Sequence, residues 1–285
     1  MHLQLPDRVL PLDLPVVMGI LNVTPDSFSD GGRYVDVDAA VARGLAMVAQ
    51  GAQIIDVGGE STRPGAEVVS ADDEAARVVP VIRALRAVSD VVISIDTMKP
   101  EVMRAACAAG AELINDVLAL RAPGALDAAR ETRAAVCLMH MQNEPRTMQA
   151  APDYADVNAE VRNFLAERLA VAEAAGIVRE RLCVDPGIGF GKTLAHNLLL
   201  LADLTALAEL EVPVLIGVSR KSMFGRLLDR DIDERLPGAL SATAVAVWQG
   251  AAIVRSHDVP ATLDAIRVAT ALRRARARLD AGNIQ

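Results

Sequence analysis

The chain has 285 residues, 52% of them hydrophobic, and a formal net charge of −8. That length suits one (β/α)8 barrel and gives no reason for a second domain, and the apolar fraction suits parallel strands covered on both faces. The acidic balance disfavours a general nucleic-acid surface, although a few cations in a concave site can still hold a small anion.

The first residues have no basic start and no sustained apolar run, so a secretory signal is not expected and the cytoplasm is the default compartment. Residues 2–13 resemble a short hairpin, Leu3-Gln-Leu and Val9 to Leu12 around Pro6-Asp-Arg, which would plug the bottom of a barrel. Eight apolar runs follow, and each meets polar or charged groups: Val16 to Val23, Gln53 to Gly59, Val91 to Asp96, Leu113 to Val117, Ala135 to Met141, Leu182 to Asp185, Pro213 to Lys221 and Ile253 to Asp258. Such ends converge only if the strands are parallel and closed, because the C-terminal strand ends of a (β/α)8 barrel form its active face. Helices are predicted between them over Val37–Gln50, Ala71–Val88, Pro100–Ala109, Gly124–Thr132, Ala155–Ala175, Ala195–Leu210, Leu236–Trp248 and Pro260–Arg278. Asp72, Asp73 and Glu74 open the second helix and Arg83 and Arg86 close it, as the macrodipole favours. The uncharged stretch Leu236 to Val254 is long enough to span a bilayer, but Pro237, Gly238, Gln249 and Gly250 break it, so it reads as a core helix followed by a strand. After Leu272 the chain becomes Arg- and Ala-rich and is expected to fray. The reading is a single domain over 1–285, a TIM barrel spanning about 16–272 with an N-terminal hairpin and a frayed C-terminal tail. The cysteines at 107, 137 and 183 are expected to be reduced, since an odd number cannot all pair and two lie in apolar strands.

Arg220 and Lys221 follow an apolar run without a spacer, and Arg255 and His257 sit two apart on the last strand and would share a face. An anion site commonly forms near strands 7 and 8 of such barrels, where these four cations lie. Asp96, Asn115 and Asp185 end strands three, four and six. Each could cap a helix. Together in one barrel mouth they suit a ring with both donors and acceptors, because a buried carboxylate can take two parallel hydrogen bonds from an amidine-like edge such as that of a pterin or guanine. Gly187 to Thr193 ends in Gly-Lys-Thr but has Pro186 where a P-loop needs glycine, and the four histidines lack zinc-type spacing. Two turn-rich loops, Thr24 to Arg33 and Gly58 to Ala66, look functional rather than merely connecting.

Met18-Gly-Ile-Leu-Asn-Val-Thr-Pro-Asp-Ser-Phe-Ser-Asp-Gly-Gly, Ile55-Asp-Val-Gly-Gly-Glu-Ser-Thr-Arg-Pro-Gly, Asp185-Pro-Gly-Ile-Gly-Phe-Gly-Lys and Ser219-Arg-Lys-Ser resemble the bacterial dihydropteroate synthases over about residues 16 to 270. The resemblance implies condensation of 6-hydroxymethyl-7,8-dihydropterin diphosphate with 4-aminobenzoate, a Mg2+ requirement, sulfonamides as competitors of aminobenzoate, and a homodimer. It places Asp96, Asn115, Asp185 and Lys221 around the pterin with Met139 beneath it, and Asn22, Arg63, Arg255 and His257 around the diphosphate, with Asn22 also reaching the metal. Lys221, Arg255, His257 and Arg63 would carry the catalytic charges. Thr62, Pro64, Phe28, Phe190, Lys221 and Ser222 would form the aminobenzoate pocket. Two departures from the family pattern, Ser256 and Val117 to Leu120, are expected to touch none of these groups. Rival readings are a folate-linked methyltransferase, which needs no diphosphate cradle, and a pterin-binding protein without turnover. The helix Leu236–Trp248 offers a surface for the expected dimer.

Overall fold

The computed structural model describes residues 1–24, 36–61, 68–144 and 147–281. The expectations for Phe28, Thr62, Arg63 and Pro64 fall outside them. Strands β1 (His2–Gln4) and β2 (Val9–Pro11) form an antiparallel pair with Leu3 opposite Leu10. The barrel strands are β3 (Val16–Asn22), β4 (Ile54–Gly58), β5 (Val92–Asp96), β6 (Leu113–Asp116), β7 (Ala135–Met139), β8 (Leu182–Asp185), β9 (Leu215–Gly217) and β10 (Ile253–Ser256). They run parallel in the order β8-β7-β6-β5-β4-β3-β10-β9, and a parallel bridge from Val184 to Val214 joins the two ends. The barrel is therefore closed. The described helices are α1 (Val37–Ala49), α2 (Ala71–Val88), α3 (Pro100–Ala108), α4 (Ala125–Thr132), α5 (Val157–Ala174), α6 (Leu194–Ala202), α7 (Ser222–Leu228), α8 (Leu236–Trp248) and α9 (Val259–Asp280).

Strand alternation sorts the side chains into two apolar cores. One lies between strands and helices and contains Val17, Leu21, Ile55, Val57, Ile93, Ile95, Val136, Val184, Ile216 and Val254. The other fills the lower barrel: Val16, Met18, Ile54, Val92, Leu113, Ala135, Cys137, Cys183, Leu215 and Ile253 meet Leu3, Leu5, Leu10 and Leu12 of the hairpin. The hairpin plugs the bottom as expected. All three cysteines are free thiols, and Cys137 and Cys183 are register partners inside this plugged layer.

Helix α2 starts where its sequence indicates, with the Ser70 hydroxyl accepting from the Asp73 amide at 3.1 Å and acids at 72, 73 and 74 in the first turn. The uncharged stretch that begins at Leu236 forms α8 followed by β10, as expected. Among the described residues no helix is long and apolar enough to cross a membrane.

Four boundaries differ from expectation. The run from Pro213 to Lys221 supplies only three strand residues, then turns through Arg220 at φ 57°, so Lys221 stands at the N-terminal boundary of α7, a helix the sequence did not reveal. The helix expected over Ala195–Leu210 stops at Ala202 and resumes as a 3-10 turn over Thr205–Leu210. Asp203 accepts from the Thr205 hydroxyl, and Gln249 captures the Leu204 amide at 2.8 Å, so local side chains compete with helical bonding there. Strand β10 ends at Ser256, one residue short of His257. The tail expected to fray past Leu272 continues as helix to Asp280, with an i,i+4 pair of Arg276 and Asp280 at 3.0 Å on its exposed face.

The plug gives a stability prediction. Leu3→Ala should lower unfolding free energy by about 2–5 kcal/mol in urea titrations, since Leu3 is fully buried. Val9→Ala, on the outward face of the hairpin, should cost no more than about 0.5 kcal/mol.

Candidate active site

Along the barrel interior the same alternation that gives the apolar lower layer gives a polar upper one. Two residues above Ile54 stands Asp56, four above Val92 stands Asp96, and two above Leu113, Cys183 and Ile253 stand Asn115, Asp185 and Arg255. Register places Asp96 beside Asn115, and Met139 beside Asp185. At the centre, Arg255 donates from Nε to Asp56 Oδ2 at 2.6 Å and from Nη2 to Asp96 Oδ2 at 2.7 Å. The Asn115 amide donates to the same Asp56 oxygen at 3.1 Å. None of Asp96, Asn115 and Asp185 caps a helix: Lys99, Gly124 and Thr193 occupy the boundaries of the helices that follow them.

Burial pushes the Asp96 carboxyl from 3.8 up to about 7, Asp56, Glu74 and Asp116 push in the same direction, and Arg255 opposes them. Burial also raises Asp185, against the Gly187 amide and the charges of Lys221, Lys192 and Arg255. For Arg255 burial works against the charge, but Asp56 and Asp96 outweigh it and keep the guanidinium protonated. The mouth therefore holds a fixed cation and acids whose ionisation a ligand can change.

On the opposite side, the Lys221 ammonium lies 4.2 Å from the centroid of the Phe190 ring, a cation–π contact. Met139 forms an apolar patch with Val117, Met141 and Met148, against which Met98, Leu118 and Phe190 pack. This corrects one expectation. Val117 and Leu118, set aside as remote, belong to the cluster of Met139 and Phe190, because Asp116 accepts the amides of Leu118 and Leu120 at 2.8 and 2.7 Å and folds the segment over the strand end. The Ser256 hydroxyl accepts from Thr262 at 2.8 Å and joins β10 to α9.

His257 reaches the region by another route than strand alternation: its Nδ1 lies 3.0 Å from the Ser219 hydroxyl, which ties the ends of β9 and β10. Arg220 turns away to Asp258 at 3.1 Å, so it is separated from the cations it was grouped with. Ser222 is exposed at the start of α7 and Asn22 is exposed at the end of β3. Sequence reasoning missed the role of Asp56, visible only as an acid inside an apolar run. It also missed Lys99, whose ammonium joins Glu60 at 2.7 Å and buried Glu74.

A family profile described as pterin binding enzyme matches residues 18–257. The dihydropteroate synthase of Escherichia coli strain K12 is 53% identical over 262 residues, 92% of this chain and 93% of its own length. The chain belongs to the dihydropteroate synthase family. Its members are transferases of folate biosynthesis. The solved Yersinia pestis dihydropteroate synthase with a sulfonamide drug complex superimposes with a TM-score of 0.91 at 48% identity, covering 96% of this chain and 100% of that one. The Xanthomonas albilineans dihydropteroate synthase in complex with 7,8-dihydropteroate gives 0.87 at 51% identity, covering 96% and 99%. The sequence resemblance and the barrel reading are thus both borne out, and the described upper-layer residues lie inside the matched span.

The electrostatics give a prediction for this family member. The folded chain keeps the Asp96 proton up to about 7 while the unfolded chain releases it near 3.8, so stability from this group falls as pH rises across that window. Asp56→Asn removes a charge that lifts Asp96, so the Asp96 midpoint followed by carbon NMR of labelled aspartate should move down, and an unchanged midpoint would contradict the coupling.

Proposed function

We propose that this barrel mouth performs the dihydropteroate synthase reaction with its upper layer as pterin and diphosphate site. The observation that carries the assignment is the ring of Asp96, Asn115 and Asp185 around a guanidinium held at 2.6 and 2.7 Å by two acids. A pterin's amidine-like edge offers two parallel donors, which suit the Asp185 carboxylate, while Asp96 and Asn115 serve the rest of the ring edge and Met139 its face. Lys221 lies between this pocket and Phe190, where 4-aminobenzoate would sit with Ser222, Phe28, Thr62 and Pro64. Arg255 uses Nε and Nη2 on the acids, which leaves Nη1 for an anion. With Asn22, His257 and Arg63 it forms the diphosphate site.

In the reaction the bond between the exocyclic carbon and the diphosphate oxygen breaks, and its electron pair leaves with the diphosphate. The electron-rich dihydropterin stabilises the carbon cation. The amine of 4-aminobenzoate then forms the carbon–nitrogen bond and releases one proton. Arg255 and His257 stabilise charge on the leaving group, an electrostatic effect that commonly dominates catalysis. The loops around residues 24–33 and 58–66 would exclude the water that competes for the cation.

Among the described residues no three His, Cys, Asp or Glu side chains cluster as metal ligands. An exposed carboxamide at Asn22 fits instead a Mg2+ held mainly by substrate phosphates, where the ion would add charge neutralisation to the leaving group. We infer a cytoplasmic enzyme and a homodimer through α8 and α9, which expose Val245, Trp248, Val268 and Leu272. Sulfonamides would compete at the aminobenzoate pocket. Over a methyltransferase or a non-catalytic binder, the reading is favoured by Arg255, held in the mouth by Asp56 and Asp96, together with His257, held by Ser219 just past the end of the same strand.

Diphosphate should be released when the protein is mixed with Mg2+, the pterin diphosphate and 4-aminobenzoate, and none should appear without the amine. Asp185→Asn replaces an acceptor with a donor in a buried pair, which costs on the order of 1–3 kcal/mol in calorimetry with the bare pterin. Unchanged affinity would reject Asp185 as the ring's partner.

A further inference from the structure

Lys192 is the cation of the Gly-Lys-Thr sequence that superficially matches a phosphate loop, and the proposed chemistry makes no use of it. It is 2% exposed, sealed below the turn that follows β8. Its ammonium lies 2.9 Å from His140 Nδ1, 3.0 Å from the Gly187 carbonyl and 2.9 Å from the Phe190 carbonyl. An ammonium has three protons, and three acceptors stand within 3.0 Å. His140 can be one of them, since burial first and then the Lys192 charge push it down to about 2, so the ring is neutral and accepts at Nδ1. Burying a lysine is costly, and burial pushes Lys192 itself down to about 7, with Asp185 opposing and Lys221 adding to the effect. An apolar side chain with a similar stem would fill the space without that cost. The ammonium is there for its donors.

What it holds is a segment with little stiffness of its own. Gly187, Gly189 and Gly191 have φ values of 68°, 82° and 58°, the left-handed region that glycine enters freely. The turn is pressed onto the segment after β7: a Cβ on Gly187 would come within 1.9 Å of the His140 carbonyl oxygen, and one on Gly191 within 2.8 Å of the Gln142 oxygen. One end of the turn carries Asp185, whose Oδ1 accepts the Gly187 amide at 2.7 Å. The other carries Phe190, beneath Lys221. Lys192 grips the carbonyls of Gly187 and Phe190, which flank the turn, and fastens both to His140 at the end of β7.

We propose that Lys192 is a positioning residue, which clamps the Gly187–Gly191 turn so that Asp185 and Phe190 hold the pterin and 4-aminobenzoate pockets at a fixed separation. The inference rests on the pocket assignments proposed above. It excludes Lys192 as a phosphate ligand, because the turn covers it, and it makes the clamp act on two ligands while sparing the third. The described residues of the diphosphate site, Asn22, Arg255 and the Ser219-held His257, stand on or beside the ends of β3, β10 and β9, and the hydrogen-bond partners of the Lys192 ammonium are His140, Gly187 and Phe190 instead.

The test is Lys192→Met in the full-length protein, with three ligands measured separately: bare pterin by calorimetry, 4-aminobenzoate by its KM, and inorganic diphosphate with Mg2+ by calorimetry. Loss of a charged hydrogen-bond donor should weaken bare pterin binding and raise the KM for 4-aminobenzoate by roughly tenfold each, with diphosphate affinity kept within about twofold. Wild-type pterin affinity and KM beside a lowered thermal midpoint would overturn the proposal, since Lys192 would then serve stability alone. Equal losses for all three ligands would overturn it too. If Lys192→Met does not fold, His140→Leu removes one acceptor and leaves the two carbonyls. It should give the same split at smaller size, with His140→Gln recovering part of it, and wild-type values in His140→Leu would overturn the clamp. Failure of the pocket assignments is separable, because Asp185→Asn and Phe190→Ala would then leave pterin and aminobenzoate binding unchanged in an otherwise native background.

Discussion

The Arg255 guanidinium, shared between Asp56 and Asp96 inside the barrel mouth, is the interaction on which the site depends. Its partners lie 199 and 159 residues away in the chain, and only a closed parallel barrel brings β10 across from β4 and β5. A buried ion pair of this kind gives little net stability, because desolvation offsets the attraction, yet loss of one partner leaves an uncompensated charge. Its value here is in orientation. The acids fix two edges of the guanidinium, and the same Asp56 oxygen fixes the Asn115 amide. A cation, an amide and an acid at Asp96 are thus aligned before any ligand arrives, as preorganised electrostatics requires.

The rest of the fold allows such a polar layer to exist. Each inward-facing column changes from apolar to polar as it rises. The lower residues meet the hairpin leucines, so the barrel is packed and dry at its base, while the upper ones face the loops. Polar residues could not occupy the base without losing the burial that closes the barrel, and apolar residues could not bind a charged substrate at the rim. The side with fewer ion pairs relies on other means: Phe190 and a methionine-rich patch give it shape, and the glycine turn gives it close backbone approach.

Much of this was legible in the sequence, and the rest was hidden for identifiable reasons. Eight apolar runs meeting polar residues point to the barrel, and the two acids and one amide that end three of them are Asp96, Asp185 and Asn115. Alternation carried Arg255 correctly into the interior. His257 lies one residue past the end of β10, where a hydroxyl of the loop after β9 holds its imidazole. Arg220 and Lys221 look equivalent as neighbours, but a left-handed residue between strand and helix sends them to different partners. Asp56, Lys99 and Lys192 carry no local signal because each depends on at least one partner 25 to 199 residues distant, Lys192 on His140 as well as on the nearby Gly187 and Phe190 carbonyls. No local pattern marks an acid inside an apolar run as the base of a network. Val117 and Leu118 were dismissed on family pattern alone, whereas packing shows them against Met139 and Phe190.

Asp56 acts on ligands through Arg255. A double-mutant cycle tests it most directly: affinity for the pterin diphosphate is measured for the parent, Asp56→Asn, Arg255→Gln and the double variant. Groups in one hydrogen-bond network are expected to show a coupling of about 0.5–3 kcal/mol, with the double variant losing clearly less than the sum of the single losses. Single losses that simply add would mean that the two residues act independently, and would contradict the account.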